Sequence, residues 1–278
     1  MKQRIISAIV GLVVLAIVLT LFDTVVLNIA ISVIIAMSVY ELLKAVGDID
    51  LPIRVVAILF GATVPFFKTS MISRILPPVC LAFAVLMLIF TLKYHGKISV
   101  EKIGFSFFYS MAIAFSITCV IFVRDLYGMA VGFYAAVMAL GGAWLNDTGA
   151  YFSGMMFGKH KLAPVISPKK TVEGFVGGII VSLFSQLLLS FIFQKLCAIY
   201  GVVAQINYLL VAVVAPFIAL AAVLGDLSAS VMKRQFKIKD FGNIMPGHGG
   251  ALDRFDSAFV TIPLVYIILL YLPIIIIK

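Results

Sequence analysis

The sequence has few charged residues and few of the residue types that build metal clusters or disulfide frameworks. Only 12% of its 278 residues are Asp, Glu, Lys or Arg, about half of the roughly 25% that a soluble domain carries. It has three cysteines and three histidines, whose spacing matches neither a zinc site nor a disulfide framework. These absences exclude a soluble globular domain and a secreted disulfide scaffold.

Long apolar runs take the place of charge. Hydrophobic residues make up 63% of the chain, and its runs reach the roughly 20 residues that a helix needs to cross a bilayer. We therefore predict an all-α polytopic membrane protein with about nine transmembrane helices, the first of them an uncleaved span, since its apolar run is longer than that of a signal peptide. The predicted spans are Ile5–Phe22, Val25–Leu43, Leu51–Phe67, Ile75–Leu92, Ile103–Val123, Met129–Phe157, Val172–Phe193, Tyr208–Leu227 and Phe255–Ile277.

The distribution of Lys and Arg predicts the orientation of these spans, because basic loops stay on the cytoplasmic side. With the N-terminus inside, sixteen of the 21 basic residues fall on the cytoplasmic face. The exceptions are Lys68, Arg74, Arg124, Lys195 and Lys278. The formal net charge of +9 is then a topology signal and a match for anionic lipid headgroups, and it does not call for a nucleic acid.

The distribution of polar residues divides the sequence into two regions. Residues 1–126 are predicted to form an N-terminal scaffold of five spans, and residues 127–278 a C-terminal region of four spans and polar loops. The polar residues of the first five spans are Asn28, Glu41, Ser106 and Ser110. We interpret them as helix-packing or interface positions.

The tract from Asp226 to Asp256 concentrates polar chemistry. It contains four of the twelve acidic residues, five Lys or Arg and one histidine, around a centre rich in glycine. Such a density of Gly, together with Pro246, predicts a loop. Acids for a metal ion, bases for phosphate and a glycine-rich backbone are the parts of a phosphoryl-transfer site.

The spacing of the acids predicts a metal site. If the eighth helix continues past the membrane, Asp226, Ser230 and Lys233 share one of its faces. Asp253 and Asp256 are three residues apart and are predicted to share a face at the start of the last span. Oxygen ligands alone favour Mg²⁺ over zinc. His248 is interpreted as a phosphate contact, with a solvated loop histidine as the alternative.

A second polar region precedes the seventh span. Asp147 is an ionisable residue on an apolar helix, which is costly to place in a bilayer and predicts a functional role. Ser167 and Pro168 are predicted to begin the seventh helix, which would put Lys169 and Lys170 in its first turn. An anion bound there would offset the unfavourable helix dipole; the alternative is that these lysines only enforce topology. Paired glycines (Gly154, Gly158, Gly174 and Gly178) predict close packing of two helices.

These residues resemble the phosphatidate cytidylyltransferase (CDP-diacylglycerol synthase) family. Its C-terminal signature is matched, with its spacing intact, by Ser230, Lys233, Arg234, Lys239, Asp240, His248, Gly249, Gly250, Asp253, Arg254 and Asp256. A second conserved region is matched upstream by Asp147, Ala150, Tyr151, Ser167, Lys169, Lys170, Thr171, Glu173 and Gly174. The first five spans are similar to the family only in character.

The resemblance implies a dimeric enzyme of the cell membrane, with its active site facing the cytoplasm, that condenses CTP with phosphatidic acid. It implies a Mg²⁺ centre, with K⁺ as a candidate second cation, held by Asp226 and Asp253 with Asp256 adjacent. Catalytic roles fall on Asp226, Asp253, Lys233, Arg234 and His248. Substrate-binding roles fall on Asp147, Ser167, Lys169, Lys170, Thr171, Glu173, Lys239, Asp240, Gly249, Gly250 and Arg254. Two alternatives are another CTP-dependent lipid enzyme, such as a polyprenol kinase, and a cation or phosphate transporter.

Overall fold

The structure is a computed structural model that describes residue 11, residues 13–243 and residues 249–277. His248, the predicted phosphate contact, lies outside the described residues, as does much of the first predicted span. The described part of the chain is mainly helical, which confirms the all-α class. Its helices are α1 (residues 13–20), α2 (Val25–Val46), α3 (Leu51–Thr63), α4 (Ile72–Lys93), α5 (Val100–Tyr127), α6 (Met129–Phe157), α7 (Val172–Ile199), α8 (Tyr208–Gln235), α9 (Leu252–Phe255) and α10 (Ala258–Tyr271).

Short elements join these helices. Two 3₁₀ turns, Val64–Phe66 and Thr69–Met71, lie between α3 and α4. The strands are β1 (Lys161–Ala163), β2 (Ser167–Thr171), β3 (Ala204–Ile206) and β4 (Ile275–Ile277). They form two antiparallel pairs, β1 with β2 and β3 with β4.

Six described segments are long and apolar enough to cross a membrane: Val25–Val46, Thr69–Lys93, Val100–Tyr127, Met129–Phe157, Val172–Ile199 and Tyr208–Gln235. Leu51–Phe66 and Ala258–Tyr271 are shorter apolar helical segments. Large apolar side chains point outward, including Phe184 (66% exposed) and Leu209 (75% exposed). Such surfaces suit contact with lipid and not with water. The protein is a helical membrane protein, and the count of nine spans stays a prediction.

The last predicted span, Phe255–Ile277, does not form one continuous helix, so its predicted bounds are wrong. Residues Phe255–Ile277 include the end of α9, a turn at Asp256 and Ser257, the helix α10 and the strand β4. The Ser257 amide donates to its neighbour Asp256 Oδ1 at 2.8 Å, a local bond that competes with helical pairing. Pro273 follows Leu272, the C-cap of α10, and proline cannot donate a backbone hydrogen bond to continue that helix.

Two compact units divide the chain. The first unit comprises residues up to Ile121 together with Phe236–Arg254, and the second comprises Phe122–Gln235 together with Phe255–Lys278. The units therefore interleave along the sequence. The functional division between residues 126 and 127 stays a prediction.

In the first unit, α2 packs against α3. Gly61 leaves room for the Ile35 side chain, and Ser32 Oγ donates to the Ala62 carbonyl at 2.7 Å. Phe60 stacks on Phe83 of α4 with ring centroids 4.1 Å apart. Ile35, Phe60 and Phe83 are buried and belong to the apolar core of this unit.

In the second unit, α6 and α7 form a close antiparallel pair. A Cβ at Gly174 would collide with the Ala150 carbonyl, and a Cβ at Gly178 would press on Asn146. The predicted close approach of these glycine-containing helices is therefore confirmed. Farther along the pair, the hydroxyl groups of Tyr134 and Ser190 form a hydrogen bond of 2.8 Å.

Candidate active site

A β-hairpin, and not a helix, carries the two lysines upstream of α7. The sequence predicted that Ser167 caps α7, but Ser167 pairs with Ala163 in the β1–β2 ladder. Thr171 is the true N-cap, because its Oγ1 accepts the Gly174 amide at 3.1 Å. Lys169 and Lys170 therefore lie in β2, and the prediction that they occupy the first helical turn is wrong.

The hairpin separates the two lysines, because successive side chains of a strand point to opposite faces. Lys169 is exposed to solvent. Lys170 is half-buried and forms an ion pair with Asp226 of α8. The two lysines thus lie in different environments, although the sequence predicted the same position and role for both.

Helix α8 continues well past its apolar part, as far as Gln235. Asp226, Ser230 and Lys233 consequently share one helical face, as predicted for a continued helix. Lys233 Nζ lies 3.9 Å from Asp256 Oδ2. Gly225 allows the turn at Asp256 and Ser257 to approach α8, since a Cβ there would meet the Asp256 carbonyl.

Ser257 connects two further acids. Its hydroxyl is within 3.0 Å of Asp147 Oδ2 on α6 and within 3.3 Å of Asp256 Oδ1. The serine is buried, so these bonds form away from bulk water. Sequence reasoning missed Ser257, although its position directly after the last acid of the signature was a usable signal.

We call Asp147, Lys170, Asp226, Lys233 and Asp256 the carboxylate–lysine cluster. All five belong to the second unit. The side chains of its two ion pairs are only 12–25% exposed. Three carboxylates face two ammonium groups, which leaves one formal negative charge in a partly dry site.

Burial perturbs the charged groups of this cluster. Burial raises the pKa of Asp256 above its ordinary value, and the Lys233 ammonium opposes that rise. Burial also lowers the pKa of Lys170, against the opposing influence of Asp147 and Asp256. Both directions show charges that have lost hydration, a common feature of functional sites.

Two contacts hold the hairpin beside the cluster. Arg234 Nε donates to the Ile166 carbonyl at 3.2 Å, which joins the end of α8 to the hairpin turn. The Glu173 carboxylate accepts the Lys159 amide at 3.0 Å and contacts His160 Nδ1 at 2.6 Å. Glu173 therefore contributes to the hairpin base, and its predicted contact with substrate stays a prediction.

In the first unit, residues of the signature form hydrogen bonds with one another. Asp253 Oδ2 accepts the amides of Phe241 at 2.8 Å and Gly250 at 3.1 Å. Gly249 has a φ of 84°, a backbone region that favours glycine. Asp253 lies in α9, whereas Asp256 lies in the turn that follows, so the prediction that they open one continuous helix is wrong.

Three other signature side chains of the first unit are exposed: Lys239, Asp240 and Arg254. Their predicted substrate contacts stay predictions.

The donor atoms of the cluster fit a hard divalent cation. Asp226 and Asp256 supply carboxylate oxygens, the ligand type that Mg²⁺ prefers. Among the described residues, no three His, Cys, Asp or Glu side chains are grouped closely enough to hold a metal by themselves. Mg²⁺ commonly uses one or two protein carboxylates and completes its shell with water and substrate phosphate, so this donor set suits Mg²⁺ bound together with a nucleotide.

Comparison with known proteins agrees with this chemistry. Residues 2–272 match the profile of the cytidylyltransferase family. The phosphatidate cytidylyltransferase of Bacillus subtilis (strain 168) is 35% identical over 284 residues, covering 97% of each chain. Those of Staphylococcus aureus (strain COL) and Staphylococcus haemolyticus (strain JCSC1435) are 48% and 46% identical over 127 residues, about 46% of this chain and 45% of each relative. Because both the profile and the Bacillus match extend over nearly all of its length, this chain belongs to the cytidylyltransferase family.

Proposed function

We propose that this protein transfers the cytidylyl group of CTP to phosphatidic acid, giving CDP-diacylglycerol and pyrophosphate. The observation that carries the proposal is the pairing of Lys170 with Asp226 and of Lys233 with Asp256 in one half-buried cluster. Cations for phosphate and carboxylates for a metal ion are thus already together. The names and extents of the family relatives support the choice of substrates.

The reaction is an in-line displacement at phosphorus. A phosphate oxygen of the lipid attacks the α-phosphorus of CTP, the bond to the bridging oxygen breaks, and pyrophosphate departs with that electron pair. The lipid phosphate is already anionic near neutral pH, so a strong general base is not needed. The main barrier is the approach of two polyanions, which positive groups and positioning lower.

The residues in and around the cluster have distinct roles in this scheme. Lys170 and Lys233 exchange their carboxylate partners for phosphate oxygens when substrate arrives, and such charge-assisted hydrogen bonds are short and strong. Arg234 holds the hairpin through the Ile166 carbonyl and so keeps Lys170 in place. Asp147 and Ser257 orient Asp256 from the other side.

Mg²⁺ is the proposed cofactor, held by Asp226 with Asp256 as the adjacent carboxylate. When bound, it would neutralise charge on the triphosphate and on the departing pyrophosphate. K⁺ stays a candidate second cation. The metal-binding role of Asp253 and the catalytic role of His248 rest on the resemblance and are proposed on that basis.

The depth of the cluster favours an enzyme over a transporter. Asp226 is 18 residues from Tyr208 at the start of α8, which corresponds to about 27 Å along the helix. The cluster therefore lies near one end of a span and not at its centre, where transporters bind their substrates. A site at a helix end can meet lipid headgroups laterally and nucleotide from the aqueous side.

We further propose that this end faces the cytoplasm of the cell membrane and that the protein acts as a homodimer. The orientation follows from the excess of basic residues in the loops on that side. The dimer follows from the resemblance alone.

Product analysis tests the proposal. Purified protein in detergent is incubated with CTP, Mg²⁺ and either phosphatidic acid or a polyprenol. We expect CDP-diacylglycerol and pyrophosphate in equal amounts, only with phosphatidic acid. A lipid kinase would release CDP and phosphorylate the polyprenol, and that result would overturn the proposal.

A further inference from the structure

We propose that Glu41 of α2 is a positioning residue that fixes two segments of the C-terminal signature, and through them Asp253. We define the signature flanks as residues 241–243 and 249–253, all within the first unit. The inference rests on the proposed function for its catalytic consequence. Its structural basis is independent of that function.

The Glu41 carboxylate is buried in an apolar helix and bonds to a residue far away in sequence. Its side chain is only 1% exposed. Its Oε2 accepts the Leu252 amide at 2.9 Å, across 211 positions of sequence. A buried carboxylate is costly unless it is hydrogen-bonded, so this bond couples the packing of α2 to the position of the second flank.

Two glycines admit the carboxylate to this position. A Cβ at Gly242 would collide with Glu41, and so would a Cβ at Gly250. Each glycine belongs to a different flank, so the carboxylate touches both of them at once. The absence of side chains at these positions is therefore explained by Glu41 and not only by backbone flexibility.

Gly250 also links Glu41 to Asp253. Its amide donates to Asp253 Oδ2 at 3.1 Å, while its Cα faces the Glu41 carboxylate. The same Asp253 oxygen accepts the Phe241 amide of the first flank at 2.8 Å. Glu41 and Asp253 thus hold the flanks from two sides, and a shift of Glu41 moves the backbone that orients Asp253.

This geometry gives Glu41 more than a packing role. Two other polar residues of the first five spans, Asn28 and Ser106, bond to backbone carbonyls of their own scaffold. Glu41 bonds instead to the signature. A displacement of roughly 1 Å at a reacting group costs about 10²-fold in rate, so the loss of Glu41 is expected to reduce turnover without any contact to substrate.

The test uses the full-length protein with the variants Glu41→Ala, Glu41→Gln and, as a matched control, Ser32→Ala. Ser32 also lies on α2 and its hydroxyl bond to Ala62 does not involve the signature. We measure kcat, the Mg²⁺ concentration for half-maximal CDP-diacylglycerol formation, and thermal unfolding. Glu41→Ala should lower kcat by about 10- to 100-fold and raise the Mg²⁺ requirement at least several-fold.

Glu41→Gln keeps an oxygen for the Leu252 amide and should recover part of both losses, while Ser32→Ala should stay within about twofold of the parent. Equal losses in Glu41→Ala and Ser32→Ala, or an unchanged Mg²⁺ requirement in folded Glu41→Ala, would overturn the inference. If Glu41→Ala does not fold, hydrogen exchange in Glu41→Gln decides: parent-like exchange in residues 249–252, together with parent-like kcat and Mg²⁺ requirement, would overturn the inference.

Hydrogen exchange separates this inference from the proposed function. Amide exchange in residues 249–252 should accelerate in Glu41→Gln and more strongly in Glu41→Ala, whatever reaction the protein catalyses. Parent-like exchange in both variants would contradict the positioning role even in an active enzyme. Accelerated exchange in a protein that makes no CDP-diacylglycerol would refute the proposed function and leave the role of Glu41 intact.

Discussion

Replacing Lys170 with Gln removes the ammonium group that pairs with Asp226, whereas replacing Lys169 with Gln removes a neighbouring charge from the exposed face of the same strand. The two changes are matched in chemistry and adjacent in sequence. Lys170 is one-quarter exposed and Lys169 points to solvent. The comparison therefore isolates the effect of position within the hairpin.

The structure sets the expected size of each effect. A hydrogen bond to a charged group contributes roughly 1.5–3 kcal/mol, and 1.36 kcal/mol corresponds to a factor of ten. Lys170→Gln should thus lower kcat/KM by about 10- to 100-fold, mainly through KM for a phosphate-bearing substrate. An exposed charge contributes little, so Lys169→Gln should stay within about fivefold of the parent.

The Mg²⁺ dependence gives a second, opposite expectation. Lys170 and a divalent cation compete for the Asp226 carboxylate, so removing the lysine should not raise the Mg²⁺ concentration needed for half-maximal activity. The assay is steady-state CDP-diacylglycerol formation in mixed micelles, titrated over CTP, phosphatidic acid and Mg²⁺. Equal losses in the two variants, or a parent-like KM for both substrates in Lys170→Gln, would refute the reasoning.

Two further predictions follow from the second unit. Ser257→Ala removes the hydroxyl between Asp147 and Asp256 and should lower kcat by about 2- to 10-fold, since a buried hydrogen bond contributes roughly 0.5–1.5 kcal/mol. Ser257→Thr should recover activity, and full activity of the alanine variant would contradict the role of this contact. In a cysteine-free background, an impermeant thiol reagent added to intact cells should label Tyr200→Cys (82% exposed in the parent) and not Val165→Cys (89% exposed), and the reverse pattern would refute the orientation.

The helices were predictable because hydrophobic length alone largely determines a transmembrane span. The bounds of α6 were predicted residue for residue, Met129–Phe157. The extension of α8 to Gln235 was predicted only as a condition, because its last turns mix charged and polar residues with apolar ones, and the long hydrophobic run stops before them. This extension is nevertheless essential to the site, because it brings Lys233 towards Asp256.

The hairpin and the turn at Asp256 were not predictable from local sequence. Ser167 and Pro168 are favourable residues for a helix start. In the structure, however, Ser167 pairs with β1, and α7 begins only after its N-cap, Thr171. The role of Glu41 was also missed, because its partner lies 211 positions away. An isolated acid in an apolar span was the available signal, since such residues are rarely without function.

The most direct test of the account is the Mg²⁺-dependent turnover of Asp226→Asn, with Asp240→Asn as an exposed control from the same signature. Asn preserves size and one oxygen but loses the charge that binds a hard cation, and several kcal/mol of charge stabilisation corresponds to roughly 10³-fold in rate. We expect a loss of that order for correctly folded Asp226→Asn, a similar loss for Asp253→Asn, and a much smaller one for Asp240→Asn. Parent-like CDP-diacylglycerol formation by Asp226→Asn at limiting Mg²⁺ would contradict the claim that the carboxylate–lysine cluster is the active site.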